Sequence, residues 1–231
     1  MGTVIKVDDL YKIYSEGDTE VRAVDGVTLE IHEGEFTAIV GPSGSGKTTL
    51  LNMIGGLDHP TKGTVHINGT DISELSDNEM IDFRLKNIGF VFQAYNLLPV
   101  LTAEENTGFI MQLQKRPKSE IKERVHKLMA DVGLEDRMHH RPSEMSGGQQ
   151  QRVAVARALA SKPAFILADE PTANLDSSST NNLLDIMARL NKEENMTFIF
   201  STHDQRVIDK ARRIIRIDDG KVISDETDPN K

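Results

Sequence analysis

Gly41-Pro-Ser-Gly-Ser-Gly46-Lys47-Thr48 is the stretch of this chain whose residue types and spacing point most directly to chemistry. Glycines let a backbone curl until successive N–H groups face one anion. The helix expected from Lys47 to Ile54 adds the partial positive charge of its N-terminus. Lys47 brings a full charge suited to the β- and γ-phosphates of a nucleotide, and the Thr48 hydroxyl is placed to ligate magnesium. The pattern G-x-x-x-x-G-K-[ST] arises by accident in on the order of one chain in 100 of this length. Its position between an apolar run and a helix makes accident rarer still.

Two further stretches carry candidate chemistry. Phe165-Ile-Leu-Ala168 reads as a buried strand and ends in Asp169-Glu170. In parallel sheets that edge is where ligands bind. Asp169 suits the magnesium shell, and Glu170 suits polarising an attacking water or accepting its proton. Alone, such an exit would read as a plain strand-to-turn junction; beside a phosphate loop the functional reading prevails. Ser146-Gly147-Gly148-Gln149 opens a helix through Ala160, a second anion-binding N-terminus in one chain. On its own this would be a simple helix cap, and one nucleotide cannot easily use both devices.

The strands and helices around these residues are legible as patterns. Val4–Tyr14 and Val21–Ile31 read as two strands joined by a turn through Gly17 and Asp18. Phe36–Val40 and Thr197–Ser201 are short apolar runs of the kind buried in parallel sheets. Val65–Asn68 runs into the turn pair Asn68-Gly69, and Ile88–Phe92 is a further strand. From about Asn96 to Glu144 strand signals vanish and helices are expected over Glu104–Leu113 and Ser119–Val132. Ser178–Leu190 is helical, and Ile214–Ile217 and Val222–Ile223 finish the sheet around Gly220. The alternation predicts an α/β fold: a phosphate-loop NTPase core with a mostly parallel sheet, an antiparallel β subdomain toward the N-terminus, and an inserted α-helical subdomain. The chain is expected to be one domain over 1–231, with the nucleotide-binding core at 1–95 and 145–231 and the helical insertion at 96–144.

Composition narrows the classes. The chain has 231 residues, 38% hydrophobic and 27% charged, as in ordinary globular domains. It has no cysteine, which excludes disulfides, a thiol nucleophile and cysteine-based zinc sites. The formal charge is −9, against the dominant basic face of duplex-binding proteins, so direct nucleic-acid binding is not expected. Arg212, Arg213 and Arg216 form a local basic stretch, read as a solvated face beside a strand. No secretory signal is evident and no apolar stretch approaches bilayer length.

Ser146-Gly-Gly-Gln149 followed by Gln151-Arg152-Val-Ala-Val-Ala-Arg157-Ala158 resembles the signature motif of ATP-binding cassette (ABC) proteins. The resemblance spans Val4 to about Ser224, with seven motifs in order. It implies an ATPase that uses ATP and Mg2+ and hydrolyses ATP in a head-to-tail homodimer, each signature covering the ATP on its partner's phosphate loop. It assigns nucleotide contacts to Tyr14, which stacks on adenine, to Gly41, Ser43, Gly44, Ser45, Gly46, Lys47, Thr48 and Thr49, and to Ser146, Gly147, Gly148, Gln149 and Asp176. Metal contacts fall to Thr48, Gln93 and Asp169. Catalysis falls to Glu170, the switch histidine His203, Gln93 and Lys47. Asn174-Leu175-Asp176 matches the loop through which two sites communicate. A separate transmembrane permease would hold the chain on the inner face of the cell membrane, facing the segment that begins at Gln93. The chain looks most similar to the branch of MacB exporters, LolD lipoprotein-releasing ATPases and FtsE division ATPases, through Phe90-Val-Phe-Gln93, Asn96-Leu-Leu-Pro99, Leu101-Thr-Ala-Glu-Glu-Asn106, His140-Arg-Pro-Ser143 and Asp169–Asp176. The FtsE-like alternative is an ATPase that transmits force and moves no solute. Two departures stand out: Met145 replaces leucine before Ser146, a volume-conserving swap, and Thr107-Gly-Phe-Ile replaces a more aliphatic stretch. Soluble repair and translation ATPases are disfavoured, because the chain has neither a long coiled coil nor a second cassette.

Overall fold

A computed structural model describes residues 2–16 and 19–228. In chain order the elements are β1 (Thr3–Glu16), β2 (Thr19–His32), β3 (Phe36–Val40), α1 (Lys47–Ile54), β4 (Lys62–Ile67), β5 (Thr70–Asp71), α2 (Asp77–Asn87), β6 (Ile88–Val91), α3 (Ala103–Leu113) and α4 (Lys118–Asp131). They continue as α5 (Gly147–Ala160), β7 (Phe165–Asp169), α6 (Ser177–Glu194), β8 (Thr197–Thr202), α7 (Gln205–Lys210), β9 (Arg213–Asp218) and β10 (Lys221–Thr227). The turn expected at Gly17 and Asp18 lies outside the described residues.

The apolar runs at β3, β7 and β8 become the centre of a six-stranded sheet of order β10-β9-β3-β8-β7-β6. All its neighbours are parallel except β10, which runs antiparallel to β9. Successive strand residues face opposite sides, and both sides are filled here. Phe36, Ala38, Ile166, Ala168, Phe198 and Phe200 join one core with the helices α3 to α7. Ile39, Phe165, Leu167 and Ile199 join the other, with α1 and the second sheet. That second sheet is antiparallel, of order β2-β1-β4-β5. The α/β expectation with its antiparallel part is borne out. Asn68 and Gly69 turn between β4 and β5 with φ of 49° and 80°, the left-handed pair a tight hairpin needs.

Two helices, α2 and α7, carry little signal in the sequence. α2 buries only Met80, so its hydrophobic period is faint; its start is marked instead by Ser76, whose N–H and hydroxyl donate to Glu79 Oε2 at 3.0 and 2.6 Å. α7 is six residues long, behind Asp204, whose Oδ1 accepts from Arg206 N at 2.9 Å. The solvated-face reading of the arginine stretch is corrected in part. Arg213 donates to Glu35 and Asp225, and Arg212 donates to Gly34 O and Asn191 Oδ1. Both spend their donors inside the fold; Arg216 alone is exposed.

Candidate functional site

Because β3, β7 and β8 are parallel and in register, their carboxyl ends share one edge. Val40 pairs with Thr202, and Asp169 with Ser201. This places the loop after β3, the Asp169-Glu170 pair and the Thr202-His203 pair side by side.

The loop is clamped from outside by backbone. A side-chain carbon at Gly41 would lie 2.0 Å from Ile217 O, and one at Gly46 2.0 Å from Ala23 O. Gly46 has φ 98° and is the N-cap of α1. Gly220 N donates to Ser45 O at 3.1 Å. Lys47 is buried, and its Nζ donates to Gly41 O and Pro42 O at 2.9 and 2.8 Å. An ammonium has three donors, so one remains for a ligand. The first-turn amides of α1 lack intrahelical acceptors, as at any helix start. The Ser45 hydroxyl is buried and has no partner among the described residues. A phosphate chain fits this donor-rich concavity.

Thr48 Oγ1 donates to Asp169 Oδ1 at 3.1 Å. A hydroxyl and a carboxylate are hard oxygen donors, suited to Mg2+ completed by substrate oxygens and water. Glu170 has φ 44°, left-handed and unusual for a residue with a side chain. Its Oε1 lies 2.7 Å from His203 Nδ1. A carboxylate only accepts, so Nδ1 carries the hydrogen. The imidazole is 73% exposed and the carboxylate 17%.

Gln93 is exposed, and its side chain makes no hydrogen bond among the described residues; its carbonyl accepts from Asn174 Nδ2 at 3.0 Å. The structure therefore joins Thr48 to Asp169, and Glu170 to His203, but leaves the Gln93 side chain apart. The segment around Gln93 is pinned all the same. Arg157 donates to Tyr95 O and Asn96 O at 2.9 and 2.5 Å, and burial lowers its pKa from the usual guanidinium value. The fully buried Gln151 donates to Pro171 O at 2.7 Å and to Phe92 O at 3.4 Å.

Ser146 caps α5: its Oγ accepts from Gln149 N at 3.3 Å, and its N–H donates to Gln149 Oε1 at 2.9 Å. The first turn of α5 lies against Tyr95 and Ser179. Asp176 caps α6, accepting from Ser179 N and Oγ at 2.9 and 2.7 Å. Those bonds, the backbone N–H foremost, hold its carboxyl below the usual range. The capping hydrogen bonds of Ser146 and Asp176 go to Gln149 and Ser179, not to residues 41–48. Tyr14 is half exposed and donates to Asp58 Oδ2 at 2.8 Å, with Lys12 Nζ 5.0 Å from its ring centroid. Burial first, then Asp58, raises its phenol pKa. Asp58 escapes sequence reading, because it lies 44 residues from its partner; Gln151 stands in the signature stretch, but its bonds to Pro171 and Phe92 are not legible there.

The fold and this edge define a phosphate-loop NTPase. The ABC transporter family model matches residues 24–173. An uncharacterised ABC transporter ATP-binding protein of Thermotoga maritima is 49% identical over 222 residues, 96% of this chain and 94% of that one. The macrolide export ATP-binding/permease protein MacB of Hyphomonas neptunium is 50% identical over 96% of this chain, which spans only 34% of that protein. The lipoprotein-releasing system ATP-binding protein LolD of Syntrophus aciditrophicus is 42% identical over 96% of this chain and 99% of its own length. Among solved structures, the dimeric post-hydrolysis state of the ATP-binding cassette MJ0796 bound to ADP and Pi is 42% identical, with a TM-score of 0.88 over 96% of this chain and 98% of that one. The chain belongs to the ABC transporter ATPase family. It is a nucleotide-binding ATPase subunit. No helix among the described residues is long and apolar enough to cross a membrane.

Proposed function

We propose that two copies of this chain bind two Mg-ATP and close head to tail, powering a separate transmembrane permease in export, lipoprotein release or a related envelope process. The observation that carries this reading is that the chain has two helix starts suited to an anion, α1 behind Gly46 and α5 behind Ser146. The dimeric ATP-binding cassette with ADP and Pi supports it. So do the MacB and LolD names of the relatives.

In this reading Tyr14 stacks on adenine. The phosphates lie on the amides from Gly41 to Thr49, and the third donor of Lys47 meets the β- and γ-phosphates. Thr48 and Asp169, with Gln93 after closure, would hold Mg2+, which when bound would supply positive charge against the phosphates. Glu170 orients and deprotonates the attacking water, and His203 turns from Glu170 to the γ-phosphate. Ser146, Gly147, Gly148, Gln149 and Asp176 complete the partner's site. The core is 1–95 with 145–231, and the helical insertion at 96–144 moves as the dimer closes.

A groove of 380 Å³ beside the Gln93 segment is lined by Leu57, Phe90, Phe92, Leu98, Phe109 and Ile110, and suits a permease segment. Phe109 and Ile110 belong to the stretch that departs from many relatives, so no particular relative's partner carries over to this groove. Through that partner the chain sits at the inner membrane face. The test is a pull-down of tagged Glu170→Gln protein with ATP from detergent-solubilised native membranes. A permease with extracytoplasmic mass supports the reading; no membrane protein, with a stable soluble dimer, overturns the transporter assignment and leaves the ATPase.

A further inference from the structure

Glu170 is held by more than its two neighbours in the chain. Its amide donates to Ser201 O at 2.9 Å, which fixes the backbone. His203 takes Oε1 from an exposed ring free to leave. The other carboxylate oxygen, Oε2, faces a different kind of group. Thr202 Oγ1 lies 3.3 Å from it, on a residue with no exposed surface.

The direction of that hydroxyl is determined. Thr202 Oγ1 accepts the Asp204 N–H at 3.0 Å. A hydroxyl carries a single hydrogen. With Asp204 N–H on its acceptor side, that hydrogen is left for Glu170 Oε2. Asp204 is itself anchored, because its carboxylate accepts from Thr172 Oγ1 at 2.9 Å and from the Arg206 guanidinium at 2.7 Å. Thr202 ends β8, paired with Val40 directly before the phosphate loop. The hydroxyl therefore stands on the same rigid sheet edge as the phosphate cradle.

We infer that Thr202 is a positioning residue for ATP hydrolysis: its hydroxyl fixes Oε2 of Glu170, so that Oε1 faces the attacking water once His203 has turned away. The inference rests on the proposed role of Glu170 as the group that activates water. It assigns the selection of the reacting oxygen to a buried side chain that never meets the nucleotide.

The test uses the purified full chain with MgATP and five proteins: wild type, Thr202→Val, Thr202→Ser, Glu170→Gln and the Glu170→Gln, Thr202→Val double variant. Valine keeps the volume and removes the donor; serine keeps the donor. Loss of one oriented bond to a charged group predicts a fall in kcat of about tenfold to a hundredfold for Thr202→Val. The KM for ATP and the ATP-driven dimer on size exclusion stay unchanged, and Thr202→Ser restores most of the rate. In single-turnover measurements the double variant is no slower than Glu170→Gln, because both changes act on one group. Thr202→Cys, with a weak donor of similar size, is the second variant should valine unfold the chain, and it falls between serine and valine. A wild-type kcat in Thr202→Val beside a slow Glu170→Gln overturns the inference and leaves the role of Glu170 intact. Multiplying losses in the double variant, or a low rate in Thr202→Ser, overturn it as well. A Glu170→Gln protein with full turnover removes the underlying reading instead.

Discussion

Replacing Gly46 by alanine tests whether the phosphate cradle is set by its outer clamp. The added carbon would sit 2.0 Å from Ala23 O. Carbon and oxygen ordinarily stay about 3 Å apart or more, so strand β2 and the α1 start must separate by roughly 1 Å. The φ of 98° adds backbone strain of about 1–3 kcal/mol for a residue with a side chain. That strain lowers Tm by roughly 2–4 °C per kcal/mol in a chain of this size. A displacement of about 1 Å at a reacting group can cost about a hundredfold, so kcat/KM for ATP should fall by that order while the far-UV circular dichroism stays native. Gly69→Ala is the control. It has φ 80° but nothing within 4 Å of the added carbon, and it lies in the β4–β5 turn. It carries the strain without the clash, and should lose stability but not activity. Retention of wild-type kcat/KM by Gly46→Ala, or an equal loss in Gly69→Ala, would mean that the outer clamp does not set the cradle.

Three further outcomes follow from the geometry. Ser146→Ala removes the α5 cap, costs about 1 kcal/mol of stability, and should abolish most ATP-driven dimerisation while leaving monomer nucleotide affinity unchanged, as read by light scattering and a fluorescent ATP analogue. Tyr14→Ala removes the proposed adenine-stacking surface, worth about 1–3 kcal/mol per base, and should raise the KM for ATP with little change in kcat; an unchanged KM would remove Tyr14 from the site. Arg124 donates to both oxygens of Glu194 at 3.1 and 3.0 Å and ties α4 to α6. Arg124 first, against burial and with help from Lys127, holds the Glu194 carboxyl down at about 2. A depressed carboxylate stabilises the fold above its unfolded value of about 4.5 and loses that contribution as pH falls toward about 2. With solvent screening the contribution is about 1–2 kcal/mol. Denaturant titrations of wild type and Glu194→Gln should therefore differ by that amount at pH 7 and converge as pH falls below about 4.5; a gap constant with pH contradicts the assignment.

The elements easiest to read are those whose burial leaves a plain pattern. β3, β7 and β8 are apolar runs buried on both faces. The phosphate loop and the Asp169-Glu170 exit are legible because they are contiguous. α2 escapes notice because a helix burying one residue has almost no period, and only its Ser76–Glu79 start could reveal it. The order of the six strands is a matter of long-range pairing, which local patterns do not encode. The contacts that shape the site are least legible. Thr202 meets Glu170 across 32 positions, Arg124 meets Glu194 across 70, and Gln151 reaches Pro171 across 20. Each is an ordinary polar residue in its own stretch, and becomes informative only when the sheet brings the edges together.

Glu170→Gln decides whether Glu170 activates water in a dimer built from two phosphate loops and two signature helices. The measurement is ATP turnover together with molar mass by light scattering, with and without MgATP. Turnover should fall by about a hundredfold or more, and a stable dimer should form only with ATP and be lost on adding Ser146→Ala. Full turnover, or a mass that ignores ATP, would exclude Glu170 as the water-activating group of an ATP-driven dimer.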